Sequence, residues 1–524
     1  LEYRKLVRPD EGRYAEISRE MAASGDWITP RLNGLKYFEK PPLQYWATAA
    51  AYKAFGEHEF SARLWAALTS FAGLFAVWFA GRRLFGPAAG LAAAGVLGSS
   101  LLYVLAGHIN TLDAGLVGFT TAALCAFLLA QDGNATAAWR RRAMLVAWIA
   151  IGLGVLSKGL VALVLPAGAL VMHTLLTRDL TVWKRLEPAR GIPLLLLVCA
   201  PWFLAVSFAN PEFARFFFIH EHFERYLTTV HRRVEPWWYF LPILALGAMP
   251  WVLCLPGALH RAWNAPAALC VFNARRFLLA WIVFVFAFFS ASGSKLPSYI
   301  LPLFPALALL LGEHLQSIRD GALRRHCLLI AAAGVAALVA TAWLLEWEGA
   351  QQREALYRNY RPWLIAAAVV ATASACVAAW FAGRARRNAA ILALAFGGLV
   401  AWQLTLMGHD ELSPATSGHS LAQQMRPHVG PDTELFTVGT YDQTLTFYLK
   451  RTMTLVAFLD EMAFGAAQEP ALVISSLDEF DRRWRASPGA LLITAPDMLA
   501  LLEERGYTLE IVARDPHRIV GKAR

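Results

Sequence analysis

Charge is scarce in this chain: Asp, Glu, Lys and Arg make up 16% of its 524 residues, whereas a soluble globular protein carries about a quarter. With 57% hydrophobic residues and a mean hydropathy of +0.43, a soluble enzyme or a nucleic-acid-binding domain is excluded, and a membrane protein is expected. Cysteine is also rare. The six residues, at 125, 199, 254, 270, 327 and 376, all fall in apolar blocks or on their inner side, so no disulfide framework is implied. There is no Walker motif, internal repeat or low-complexity tract. Ser157-Lys158-Gly159 has neither the glycine spacing nor the preceding strand of a phosphate loop, so no nucleotide cofactor is expected.

What the chain does have is apolar blocks bounded by charges, of about the 20 residues that cross ~30 Å of hydrocarbon as helix. The reading is of roughly twelve spans, near 62–81, 88–106, 112–130, 143–157, 159–176, 191–208, 238–258, 276–292, 297–312, 327–346, 363–382 and 388–407. Every second connection is basic: Arg82-Arg83, Arg140-Arg141-Arg142, Arg178 with Lys184-Arg185, Arg275-Arg276, Arg324-Arg325, and Arg384 with Arg386-Arg387. The positive-inside rule makes those six connections cytoplasmic and accounts for most of the net charge of +10. It places outside a first loop of residues 1–61, a second large loop at 209–237, the loops near 293–297 and 347–362, and everything after 407. The opening Leu1-Glu2-Tyr3-Arg4-Lys5 has no leader or anchor, and a preceding span, about thirteen in all, is expected. The expected division is a transmembrane domain over 1–407 and a soluble domain over 408–524.

Within the outer segments, Tyr14, Ile17, Met21 and Ala22 recur at helical spacing between charges, predicting an amphipathic surface helix over 10–24. A second is expected over 41–55, opened by Pro41-Pro42, and a third over 211–227. Beyond 408, short apolar runs (435–438, 455–458, 490–494, 509–513) alternate with helical stretches at 478–486 and 497–505, predicting a small α/β domain.

Asp10-Glu11 opens the first surface helix, where carboxylates suit the helix dipole and its free N–H groups. The next outer turn carries Asp113. Acids at span ends on one side of a membrane are candidates for a single site, so Asp10 and Asp113 are the catalytic candidates, with Glu11 as a helix cap. Glu39-Lys40 reads as a surface ion pair worth under about 1 kcal/mol, or as a phosphate-binding ammonium beside a metal ligand. In His220-Glu221-His222-Phe223-Glu224-Arg225, pairs at i, i+4 stabilise a helix. The functional alternative makes Arg225 a fork for phosphate and His220 a ligand, with Glu39, for a divalent metal such as Zn or Mg. Ser292–Tyr299 forms a tight polar turn that puts Lys295 and Tyr299 at the outer face, either snorkelling or binding an anion; Lys158 admits the same two readings.

In this order, Arg8-Pro9-Asp10-Glu11 with Arg13-Tyr14-Ala15-Glu16, Tyr37-Phe38-Glu39-Lys40-Pro41-Pro42-Leu43, His220 to Arg225 and Ser294-Lys295-Leu296-Pro297-Ser298-Tyr299 resemble the lipid A 4-amino-4-deoxy-L-arabinose transferases. That family belongs to the GT-C superfamily with the protein O-mannosyltransferases. The resemblance implies a polytopic, mainly α GT-C fold in the bacterial inner membrane, with the active site and the C-terminal domain periplasmic. It implies transfer of aminoarabinose from undecaprenyl phosphate to lipid A phosphates, which masks negative charge and confers polymyxin resistance. Tyr37, Lys40, Lys158, Arg225, Lys295 and Tyr299 are then expected at the donor phosphate. Arg4, Lys5, Arg8, Arg13 and Arg31 are cations that could attract the acceptor. A lipid A phosphate is already ionised near neutral pH, so a single displacement without a strong base is expected. The rivals are a GT-C transferase of another polyprenyl-linked sugar, acting on protein or polysaccharide, and a lipid transporter.

Overall fold

The structure is a computed structural model that describes residues 1–224, 235–265, 272–343 and 354–523. Arg225, with the remainder of the third surface segment, lies outside the described residues, as does Cys270. The chain divides into two compact units, Leu1–Leu64 with His409–Arg524, and Trp65–Gly408. Where the sequence places a border at 407/408, the first loop clusters with the C-terminal residues.

In the second unit the helices follow the apolar blocks. Among the described residues, eight helices, counting Glu59–Phe85, which runs into this unit, are long and apolar enough to cross a membrane. Ten are, if Pro87–Ser99 with Leu101–His108 and Phe240–Gly247 with Val252–Trp263 each form one bent span. The expected twelve include two more helices. Ala137–Lys158 has only the stretch 143–157 free of charge, and Val161–Thr177 has 17 residues. The chain is a multi-pass membrane protein.

The first unit is built on a six-stranded sheet. Its strands β3 (Leu435–Val438), β4 (Thr454–Val456), β5 (Val473–Ile474), β6 (Leu491–Thr494), β7 (Leu509–Arg514) and β8 (Ile519–Ala523) follow a two-stranded hairpin, β1 (Arg31–Leu32) and β2 (Leu35–Lys36). The order is β5-β4-β3-β6-β8-β7, parallel from β5 to β6 and antiparallel beyond. All four residues of both β3 and β6 are buried, as expected for parallel strands covered on both faces. Leu435, Leu491 and Ile493 face one core, and Phe436, Val438 and Leu492 the other with Phe480 and Trp484. The first of these cores is completed by Leu6, Ala15, Tyr52 and Ala62 from the chain's opening segment.

Helices α1 (Asp10–Ser24) and α2 (Leu43–Phe55) form where expected, and α1 ends on Gly25 at φ 75°, whose N–H reaches Met21 O. Helix α2 keeps one exposed face, with Ala50, Lys53 and Ala54 outward and Gln44, Tyr45, Thr48, Ala49 and Tyr52 buried, whereas α1 has none. Every residue of α1 from Glu11 to Arg19 is buried, its charges joined in ion pairs such as Arg19 Nε to Glu16 Oε2 at 2.7 Å. Asn33-Gly34, at φ 55° and 80°, makes the two-residue turn between β1 and β2, a geometry these residue types favour. Asn33 then exchanges two hydrogen bonds with the Met453 backbone, both 2.7 Å, and Arg31 Nη1 donates to Glu469 Oε1 at 2.8 Å.

The carboxylate of Glu20 accepts the turn's N–H groups, from Asn33 at 2.6 Å and Gly34 at 2.9 Å. Burial, and next the neighbouring Glu16, push this carboxyl up to about 8. A folded-state pKa above the unfolded value means that the proton is held on folding. Stability from this group is therefore full below the ordinary carboxyl range and is lost as pH rises towards 8. The thermal midpoint should fall between pH 5 and pH 8, and Glu20→Gln should flatten that slope; an unchanged slope contradicts the assignment.

Candidate functional site

In the first unit, α1 presents Asp10 at its first turn, with a side chain 47% exposed. Asp10 Oδ1 accepts from Arg13 Nη1 at 2.6 Å, and the buried Arg13 guanidinium also pairs with Glu461. Glu461 in turn accepts from Gln443 Nε2 at 2.6 Å. Burial raises the Glu461 carboxyl, while Arg13 pulls it back. Gln443 and Glu461 follow β3 and β4 at their carboxyl ends, the edge at which open α/β sheets hold ligands. Here that edge receives α1. Gly12 makes the approach possible, since a Cβ there would stand 2.5 Å from Thr444 Cγ2 and 2.6 Å from Thr444 N.

Because one of those neighbours is backbone, the clash has no easy relief. Gly12→Ala should destabilise the first unit by about 1–3 kcal/mol. Thr444→Ala should rescue it only in part, as read by thermal unfolding of the purified protein; full rescue would refute backbone contact as the cause.

Tyr37 is buried beside this group, and its hydroxyl, like that of Tyr45, has no hydrogen-bond partner among the described residues. Burial drives both phenols up, with Glu39 adding to the effect at Tyr37. Lys40 Nζ donates to the Glu39 carbonyl at 2.7 Å. Asp10, Arg13, Tyr37 and Glu461 thus form an acidic and aromatic cluster around one guanidinium, in electrostatic reach of Glu39. Glu11 points elsewhere. It is 1% exposed and accepts from Arg63 Nε at 2.8 Å, Arg4 Nη1 at 3.0 Å and Val7 N at 3.0 Å. Two guanidiniums make it more than a helix cap.

In the second unit, Asp113 opens Leu112–Gln131 and Lys158 closes Ala137–Lys158, each at the helix end that suits its charge. Their side chains are hydrogen-bonded as an ion pair. The helices meet closely below the pair, since a Cβ on Gly115 would run into Ser157. Tyr299 faces Lys158, whose Nζ lies 5.3 Å from the ring centroid, within cation–π range. Lys295 is buried and donates to Ser292 O at 2.9 Å and Glu235 O at 3.0 Å, which pins its turn and leaves one N–H for another acceptor. His220 sits on a π-helical segment, Arg215–Glu224, stacked on Phe216 at 5.2 Å.

The sequence candidates therefore divide. Asp10, Tyr37, Glu39 and Lys40 belong to the first unit, and Asp113, Lys158, His220, Lys295 and Tyr299 to the second. Among the described residues no three His, Cys, Asp or Glu side chains converge as a metal would require. The sequence marks Arg13 only as a surface cation and gives no sign of Glu461 or Gln443. No spacing links them to Asp10, because the parallel sheet alone brings them to α1.

Residues 2–217 match the dolichyl-phosphate-mannose-protein mannosyltransferase family, and residues 421–522 the aminoarabinose transferase C-terminal domain. The undecaprenyl phosphate-α-4-amino-4-deoxy-L-arabinose arabinosyl transferase of Edwardsiella ictaluri is 37% identical over 318 residues, covering 60% of this chain and 56% of that protein. The enzyme of the same name from Pseudomonas aeruginosa is 36% identical over 386 residues, covering 71% of this chain and 67% of that protein. The chain thus spans little more than half the length of the Edwardsiella relative. The crystal structure of ArnT from Cupriavidus metallidurans bound to undecaprenyl phosphate superimposes with a TM-score of 0.93 at 38% identity, over 99% of this chain and 94% of that one. An archaeal oligosaccharyltransferase from Archaeoglobus fulgidus, 13% identical with a TM-score of 0.52, over 94% of this chain and 66% of that one, shares the fold alone. With its fold and both of its matched segments in agreement, the chain belongs to the undecaprenyl phosphate-aminoarabinose arabinosyl transferase family of GT-C fold.

Proposed function

We propose that this protein transfers 4-amino-4-deoxy-L-arabinose from undecaprenyl phosphate to the phosphates of lipid A. The work takes place at the periplasmic face of the bacterial inner membrane, and the product lowers surface negative charge and gives resistance to polymyxin and other cationic peptides. The observation that carries this reading is the likeness, over 99% of the chain, to a transferase crystallised with undecaprenyl phosphate.

The chemistry asks little of a base. A lipid A phosphate oxygen, already ionised, attacks the anomeric carbon, the bond from that carbon to the donor phosphate oxygen breaks, and undecaprenyl phosphate leaves with the electron pair. Cations matter most where charge gathers on the leaving phosphate. Lys158 is suited to this role, because Asp113 and Tyr299 hold it without burying it fully. Lys40, Lys295 and Arg225 are the further phosphate ligands in this reading. The acidic cluster of Asp10 and Glu461 suits an ammonium, so it would orient the sugar's 4-amino group or the acceptor. A divalent metal is a further proposal from residue chemistry alone, with Glu39 of the first unit and His220 of the second each a candidate ligand, and no step is routed through it.

The test is purified protein given undecaprenyl phosphate-aminoarabinose and lipid A, followed by mass spectrometry of both lipids. Lipid A gaining one pentosamine while undecaprenyl phosphate accumulates is expected. Transfer to a protein or polysaccharide acceptor instead would favour a different GT-C activity, which the match of residues 2–217 to mannosyltransferases keeps in view. Movement of lipid across vesicles without transfer would favour a transporter.

A further inference from the structure

We infer that the second unit holds one acyl chain of an anionic phospholipid in a cavity on the side opposite its ion pair, the side that the basic connections assign to the cytoplasmic leaflet. The cavity measures about 200 Å³ and is lined by Leu124, Phe127, Ala147, Leu170, Phe277 and Trp281 among others, with an apolar wall throughout. Leu124 and Phe127 lie eleven and fourteen residues beyond Asp113 on one helix, about 16–21 Å along its axis. Trp183 and Leu186 place its mouth on the side away from the ion pair, and Leu163, five residues past Lys158, carries its wall back along the helices towards that pair.

Three observations select the occupant. First, water has nothing to bond to inside: the two tryptophans at the rim have spent their N–H groups, Trp148 on Leu186 O at 2.8 Å and Trp183 on Thr174 Oγ1 at 2.9 Å, and apolar cavities of this size stay dry. A hydrocarbon chain matches such a wall. Second, the connections beyond the rim, 131–142 and 177–190, carry seven cations (Arg140, Arg141, Arg142, Arg178, Lys184, Arg185, Arg190) against three carboxylates (Asp132, Asp179, Glu187). Glu187 is consumed by Arg141 and Arg190, and among the described residues Arg178 and Lys184 form no ion pair. Basic recesses between helices on this side suit anionic headgroups.

Third, buried behind the wall on this side are polar groups without partners among the described residues. His173, 1% exposed, lies one turn past Leu170 with its ring 5.4 Å from that of the cavity residue Phe277, and neither ring nitrogen is hydrogen-bonded. Gln131, 2% exposed, ends the cavity helix with both side-chain atoms unpaired, beside Arg185, whose Nη1 reaches its carbonyl at 3.2 Å. Apolar wall and cationic rim follow one another in the order of tail and phosphate, with buried, unpartnered polar groups packed behind the wall.

The protein, exchanged into mild detergent, would be given dioleoyl phosphatidylglycerol or dioleoyl phosphatidylcholine and weighed intact by native mass spectrometry. One phosphatidylglycerol per chain is expected to persist, at least tenfold preferred over phosphatidylcholine. Ala123→Leu with Ala147→Phe, which fills the cavity, should abolish retention. Arg178→Ala with Lys184→Ala should leave retention but erase the preference, and it decides the matter if the filled protein does not fold. No retained lipid, retention unaltered by filling, or capture of undecaprenyl phosphate in place of phospholipid would each overturn the inference. Lipid retention is read without any transfer assay, so its failure is distinct from failure of the proposed activity.

Discussion

Glu11→Ala should strongly destabilise the first unit, while Asp10→Ala, one residue away, leaves it intact but inactive. Glu11 binds two guanidiniums in a buried setting, where removing one partner of an ion pair costs about 3–5 kcal/mol, because the stranded charges have no water to turn to. Arg63 cannot leave with it, since its Nη1 is also tied to the carbonyls of Leu1 at 2.7 Å and Arg4 at 2.6 Å. For a unit of this size the loss amounts to a fall of about 10 °C in thermal midpoint. Asp10, half exposed and bonded only along its own helix and to a guanidinium that Glu461 retains, should change the midpoint by no more than about 1–2 °C on the same scale. Transfer of sugar to lipid A, measured on the same two preparations, should vanish in Asp10→Ala. A Glu11→Ala protein with an unchanged midpoint, or an active Asp10→Ala protein, would each break the distinction.

The second large effect is at Lys158. Lys158→Ala removes the cation assigned to the leaving phosphate, and loss of one such group typically lowers turnover by about 10²–10³-fold. It also strands Asp113, so a fall in activity alone does not separate chemistry from folding. The neutral pair Asp113→Asn with Lys158→Met makes that separation. It should restore the thermal midpoint lost in Lys158→Ala without restoring turnover. Recovery of both would make the ion pair a strut between two helices and nothing more.

Much of this architecture is legible in one sequence because its strongest signals are local. Span length fixed by hydrocarbon thickness locates the helices of the second unit, and continuous apolar runs announce β3, β4 and β6. β5 escapes because two residues, Val473-Ile474, make no run, and β8 because Gly521 and Lys522 interrupt it. The misreading of α1 has a different cause. Alternating charge on a helix implies a watered face unless partners bury it, and those of Arg13 and Glu11 lie in segments that only the folded sheet and a later helix supply. Asn33-Gly34 shows a third case, a hairpin signal that a reading by hydropathy passes over. At the site, Asp113, Lys158 and Tyr299 come together from three separate span ends. Residue type singled them out; pairing them required the helices.

The core shared by Leu6, Ala15 and Tyr52 with the sheet has a consequence for synthesis. Residues 1–64 leave the ribosome well ahead of the strands they cover, which begin at Leu435, after the whole of Trp65–Gly408. At about 5–20 residues per second that interval is on the order of half a minute. For all of it the nascent segment waits with its apolar side chains and buried arginines unmatched. The last step in assembling this unit therefore comes only after every helix of Trp65–Gly408 has been made.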